Sequence, residues 1–325
     1  MHAFYPLSAR RPPPLRWGRM SRRVRGSNMD FFKCEGLNKH KGDFILKDIS
    51  FSFPKGRVVG LIGMNGVGKT TLIRSILGSY GIDKAAGDSG EIWLDGRNYK
   101  TDQKEYRQGL GFILQENPFS NNMKVMEVGE VYGYYYKGFD MNRFVSFLEE
   151  YEIYPKEQIS QLSAGQSLRM QLAFARSHPV KLFVLDEPAG NLDVNFRDYF
   201  YDCIREMVET EESSVIISSH LVTELEHIAD DILWLGRDEN VTTVRYFGDI
   251  DSFRDSYRII EGSSDEIAAI PDQKVIGKRI REGHSEALIH RKDRDFRDAE
   301  NVRYATLQEI MYYVEKKHET AEERS

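Results

Sequence analysis

The residues with the sharpest chemical signature are Gly63-Met64-Asn65-Gly66-Val67-Gly68-Lys69-Thr70, which satisfy G-x-x-x-x-G-K-[ST] between an apolar run and a helical one. In such a string the glycines let consecutive backbone N–H groups turn inward around phosphate oxygens, and the helix start adds favourable potential. Asn65, Gly66, Val67, Gly68, Lys69, Thr70 and Thr71 form the candidate cradle. Lys69 is placed to reach β- and γ-phosphates, and the Thr70 hydroxyl to ligate Mg²⁺. Downstream, the apolar Leu182-Phe183-Val184-Leu185 runs into Asp186-Glu187-Pro188. A buried strand ending in two acids sets both carboxylates at the carboxyl edge of a sheet, where ligands of open α/β sheets bind. There Asp186 can hold the hydration shell of Mg²⁺, and Glu187 can orient and polarise an attacking water. Between the two lies Leu162-Ser163-Ala164-Gly165-Gln166, with Ser163 23 residues before Asp186. Ser-x-x-Gln is an ordinary capping box, but Ser with Gly at a helix start is also an anion-binding end.

With these three strings in this order, the sequence resembles the ATP-binding cassette (ABC) family, whose signature L-S-G-G-Q sits just before the second acidic motif. The resemblance brings in further residues. Gln115 in F-I-L-Q-E-N is similar to the Q-loop glutamine that contacts Mg²⁺ and water. Asn191-Leu192-Asp193 resembles the D-loop, and His220 after V-I-I-S-S resembles the switch histidine that touches the γ-phosphate. The matched motifs run from residue 63 to 220, and the resemblance covers roughly residues 30–235.

What the resemblance implies is specific. The catalytic set is Glu187, His220, Lys69 and Gln115, and the metal set is Thr70, Gln115 and Asp186. Nucleotide contacts are the cradle residues with Phe44, Ser163, Gly165, Gln166 and Asp193. ATP and Mg²⁺ are the cofactors. The signature of one copy completes the phosphate site of another, so the working unit is a homodimer or a heterodimer with a related subunit. Two departures stand out. Ala164 replaces the first glycine of the signature pair, and the slot for the adenine-stacking aromatic holds Lys41, with Phe44 as a substitute. Without a stacking partner, purine selectivity should be loose.

The elements around these motifs read as a mainly parallel α/β sheet. Lys47-Asp48-Ile49-Ser50-Phe51-Ser52-Phe53 alternates as a half-buried strand, and Val58–Gly63 is the continuous apolar run of an interior strand. Leu72, Ile73, Ile76 and Leu77 share one face of a helix that Gly78 ends. Gly90–Gly96 reads as a strand closed by an Asp-Gly turn, and 182–185 and 215–219 as two more strands. Residues 124–160 lack strand alternation and read as a small helical insertion. Its Tyr132–Tyr136 cluster, without interleaved Arg and Lys, reads as packing rather than a base-stacking platform. Past Leu235, R-I-I-E, K-V-I-G and A-L-I-H are short strand candidates, 290–298 is a charged surface run, and a final helix opens on the Thr306/Glu309 capping box.

The expected fold is therefore α/β: a P-loop ABC ATPase with a RecA-like core, an antiparallel β subdomain and a helical subdomain at about 116–178. It spans 29–235, and a small α+β accessory domain spans 236–325.

Composition excludes several classes. The chain has 325 residues, 45 Lys+Arg and 51 Asp+Glu, a formal charge of −6, and a mean hydropathy of −0.52. No run approaches the ~18–20 apolar residues of a membrane-spanning helix. Cys34 and Cys203 lie far apart with no metal-ligand spacing, which points to a reducing compartment. Residues 1–28 hold seven arginines and no acid, so the remainder carries −13, which argues against nucleic acid as a partner. This start reads as a disordered leader, an expression remnant or a translation start placed too early.

The expected function is the ATPase subunit of a transporter, an exporter by its style, with a separate transmembrane permease as partner. It would sit on the cytoplasmic face of the membrane. The alternative is a soluble ABC ATPase of a non-transport complex such as cofactor assembly. Coiled-coil repair ATPases do not fit, because only 94 positions separate Lys69 from Ser163 and they carry no heptads.

Overall fold

The computed structural model describes residues 30–322 apart from 83, 191, 211, 221, 282 and 293–300. An antiparallel hairpin, β1 (Phe32–Lys41) and β2 (Phe44–Phe53), comes first, with Ile49, Phe51 and Phe53 turned into the core. Next, β3 (Val58–Ile62), buried along its length, feeds α1 (Lys69–Ile76). A second hairpin, β4 (Ser89–Leu94) and β5 (Arg97–Asn98), turns at Asp95-Gly96. Then follow α2 (Gln103–Gln108) and β6 (Leu110–Ile113), and a helical segment of α3 (Val125–Tyr132), α4 (Met141–Glu150) and α5 (Ala164–Ala175). The chain returns through β7 (Leu182–Asp186), α6 (Val194–Glu209), β8 (Ser214–Ser218), α7 (Val222–Ile228), β9 (Asp231–Asp238) and β10 (Val241–Asp249).

Among the described residues these strands make one ten-stranded sheet, ordered β5-β4-β1-β2-β10-β9-β3-β8-β7-β6. The run β9-β3-β8-β7-β6 is parallel, and β10 turns back antiparallel on β9. Val59 and Leu61 pack with Leu72, Ile73 and Ile76 of α1 on one face. Val58 and Ile62 face the opposite side, in the core that holds the buried residues of α5 and α6. Each such aliphatic side chain contributes on the order of 1.5–3 kcal/mol when buried, an upper estimate because the unfolded chain is already partly compact.

The carboxy-terminal segment holds α8 (Ile250–Asp255), β11 (Tyr257–Gly262), α9 (Ser264–Ala269), β12 (Gly277–Arg279), β13 (Ser285–His290), β14 (Val302–Tyr304) and α10 (Leu307–Glu322). Its strands form an antiparallel sheet ordered β12-β13-β11-β14. The expected capping box opens α10: Thr306 N donates to Glu309 Oε2 at 2.8 Å, and Glu309 N to Thr306 Oγ1 at 3.2 Å. Leu307, Ile310 and Met311 share one continuous core with Leu225 and Trp234, and Leu307 N donates to Glu226 Oε1 at 2.5 Å.

Three expectations need correcting. The division at 235 falls inside β9, and the sheet continues through β10 to Asp249; β10 is mostly half-buried and so reads as polar. K-V-I-G is mostly not a strand, since Asp272–Lys274 form a 3₁₀ turn after Pro271 and pairing starts at Gly277. In the tyrosine cluster Tyr132 and Tyr136 pack on the core, but Tyr134 and Tyr135 are 88% and 69% exposed. Residues 1–28, Asn191 and positions 293–298 of the charged run lie outside the described residues.

Candidate nucleotide site

Strand register assembles the site. Leu61 of β3 and Asp186 of β7 both pair with Ser218 of β8, so the ends of three parallel strands lie side by side. Past those ends come the glycine loop, Glu187 and His220. On the far side of β7, Ile113 of β6 pairs with Leu185, which brings exposed Gln115 to the same edge.

The loop between β3 and α1 has little freedom. Gly68 caps α1 with φ 100°, and a Cβ there would lie 2.4 Å from Cζ of Phe44. Only glycine tolerates both the backbone and the contact. Lys69, buried, donates from Nζ to Gly63 O at 2.8 Å and stands 3.8 Å from Glu187 Oε1. Burial pulls its pKa below the ordinary lysine value, while Glu187, Asp186 and Glu315 act in the opposite direction.

Glu187 has φ 52°, an uncommon conformation for a non-glycine residue. It is held there by its own N–H, which donates to Ser218 Oγ at 2.9 Å and Ser218 O at 3.2 Å. Such strain costs on the order of 1–3 kcal/mol and persists where surrounding bonds enforce it. Its Oε2 contacts Nδ1 of His220 and accepts from the His220 N–H at 3.3 Å. Asp186 is buried and accepts from Ser218 Oγ at 2.7 Å through Oδ1. Ser218 thus fixes both acids, a role its place in V-I-I-S-S did not reveal.

The hydroxyl of Thr70, the carboxylate of Asp186 and the amide oxygen of Gln115 form an all-oxygen donor set. Hard oxygen donors supplemented by substrate phosphates are what Mg²⁺ takes, so the residues fit that ion.

The signature residues stand at the start of α5. Ser163 Oγ accepts from Gln166 N at 3.2 Å, and Gln166 Oε1 accepts from Ser163 N at 2.9 Å. Ser163 is exposed, and Gly165 follows on the first turn. Asp193 caps α6 by accepting from Phe196 N at 3.0 Å, and it pairs with Arg169 of α5. The Phe196 bond, with Arg169 adding to it, holds its carboxyl below the usual range.

Sequence reasoning missed Gln171. Buried on α5, it donates to Leu114 O at 3.1 Å and accepts from Leu114 N at 2.9 Å, tying the backbone beside Gln115 to the signature helix. A glutamine among Met170, Leu172, Ala173 and Phe174 is a polar group at a core position, and that anomaly was a readable signal. Where the resemblance expects the base to stack, Phe44 packs on Gly68 with the Arg237 guanidinium 5.6 Å from its ring centre, and Lys41 reaches Tyr80 OH at 3.2 Å.

A glycine loop between strand and helix, with a buried lysine facing a strand-end acid, defines a P-loop nucleoside triphosphatase. A family model described as "ABC transporter" matches residues 46–190. The phosphonates import ATP-binding protein PhnC of Wolinella succinogenes is 34% identical over 207 residues, 58% of this chain and 74% of that protein. The lantibiotic transport ATP-binding protein SrtF of Streptococcus pyogenes is 28% identical over 223 residues, 66% and 91%. Among solved structures, the dimeric post-hydrolysis cassette MJ0796 bound to ADP and Pi superposes with a TM-score of 0.57 at 20% identity, over 67% of this chain and 98% of that one. The chain belongs to the ABC transporter family, as an ATP-binding ATPase subunit.

Proposed function

We propose that this chain powers an exporter as one half of an ATP-closed dimer. The observation that carries the reading is the Lys69–Glu187–His220 cluster together with an exposed Ser163 at the start of α5, so that one chain holds the phosphate and the hydrolytic group while offering its signature to a second copy. Lys69 neutralises the β- and γ-phosphates. Glu187 accepts a proton from the attacking water, and His220 holds that carboxylate and faces the γ-phosphate. Thr70, Gln115 and Asp186 would hold Mg²⁺, which when bound would neutralise phosphate charge. Ser163, Gly165, Gln166 and Asp193 act across the dimer.

Export is the direction this reading adopts; SrtF is named for lantibiotic transport, and PhnC is an importer component by name. Among the described residues no helix is long and apolar enough to cross a membrane, and in this reading the membrane path belongs to a separate permease. Exposed Tyr134 and Tyr135, and a cleft of about 250 Å³ lined by Arg107, Phe112, Leu114, Pro118 and Tyr136, support docking of its cytoplasmic segment there. In this reading the chain sits on the inner membrane face. Purification from the native host in mild detergent tests the reading. A stoichiometric multi-span partner is expected, and a complex of soluble proteins alone would overturn it.

A further inference from the structure

The glycine loop is braced from behind by residues far downstream of every nucleotide motif. Thr242, fully buried on β10, donates from Oγ1 to Val67 O at 2.8 Å across a sequence separation of 175. Its backbone is pinned between Leu46 of β2 and Arg237 of β9. Arg237 adds a longer contact, NH1 to Gly66 O at 3.4 Å, with its head fixed by Glu239 O at 2.6 Å and Asn240 Oδ1 at 2.9 Å. On the same side, Leu235 O would lie 2.6 Å from a Cβ on Gly63. The β9–β10 hairpin is thus the back wall of the loop.

In a trans peptide the C=O of one residue and the N–H of the next point in opposite directions. Drawing Val67 O toward β10 therefore turns the Gly68 N–H away from the wall, toward the cradle side. In loops of this kind those N–H groups take the α- and β-phosphates. We propose that Thr242 is a positioning residue for nucleotide binding, its hydroxyl holding the Val67 carbonyl so that the Gly68 N–H faces the β-phosphate of ATP or ADP. The inference rests on the phosphate-loop reading of Gly63–Thr70.

Thr242→Val keeps the shape and removes the donor. ADP affinity by calorimetry and the KM for ATP should both weaken by about tenfold, the worth of one well-placed hydrogen bond. The kcat should stay within about twofold, because Glu187 and His220 are untouched. Thr242→Ser should restore binding. If Thr242 only satisfies a buried carbonyl, the valine variant will melt at lower temperature yet bind ADP like the wild type when folded, which overturns the proposal. Should the valine variant not fold, Thr242→Ser against Thr242→Cys decides. The hydroxyl must bind ADP at least about threefold more tightly than the weak thiol donor, and equality overturns the proposal. Lys69→Ala separates the two levels: ADP binding undiminished in that variant breaks the phosphate-loop reading itself.

Discussion

Lys69 Nζ stands 3.8 Å from Glu187 Oε1, so the lysine of the phosphate loop and the acid at the end of β7 are already in electrostatic contact within one chain. The other carboxylate oxygen of Glu187 faces His220. One acid therefore joins the group proposed to hold the phosphate to the group proposed to sense it.

Glu187→Gln keeps the shape and removes the base. Turnover should fall by about 10²–10⁴-fold, the range for loss of general base catalysis, while ATP binding persists. Size-exclusion chromatography should then show an ATP-stabilised dimer. A variant that stays monomeric at saturating Mg·ATP contradicts the dimer mechanism.

The buried Lys69 gives opposite pH trends for binding and stability. Burial favours its neutral form, so its pKa in the folded chain lies below the ordinary value of 10.5. As pH rises through the lowered value, the ammonium is lost and nucleotide affinity falls. Over the window between that value and 10.5 the unfolded chain binds more protons, so stability rises with pH. Comparing wild type with Lys69→Met by calorimetry and denaturant titration isolates both components. A wild-type stability that falls relative to the variant across this window contradicts the assignment.

Base selectivity should be loose. Lys41, at the position where the resemblance expects a stacking aromatic, directs its ammonium at Tyr80, 5.2 Å from the ring centre, while Phe44 lies against the loop under Arg237. GTP should bind within about tenfold of ATP, or about 1.4 kcal/mol, by competition titration. Lys41→Tyr should tighten ATP by restoring a stacking face, and a wild-type preference for ATP beyond tenfold removes the argument.

Ser163→Ala separates the two faces of the site. It removes the side-chain half of the α5 cap, at a cost of about 1 kcal/mol to that helix. ADP affinity of the single chain should be unchanged, because Ser163 bonds within its own helix. ATP-driven dimerisation measured by light scattering should be lost, and an intact dimer would remove Ser163 from the trans site.

Legibility followed the stringency of the chemistry. Phosphate binding demands a strict loop at a strict place, so Gly63–Thr70 and the acids after β7 could be read directly, and the strand register then brought them together. Gln171 was legible in principle, as a polar residue on a buried helix face. Thr242 was not, because in Thr242-Thr243-Val244-Arg245-Tyr246 either threonine could face inward, and only pairing with β2 and β9 decides which one does. The end of the cassette was misread for a related reason: apolar content drops at Gly236 while the strand continues to Asp238.

That hairpin also governs how the cassette can be shortened. A chain ending at Leu235 would retain every nucleotide motif, yet Ile45 and Leu46 of β2 would lose the strand that pairs with them. Open strand edges recruit other chains, so such a fragment is expected to aggregate before its catalytic competence can be judged. A fragment carried past Asp249 would keep both the edge and the brace on Val67.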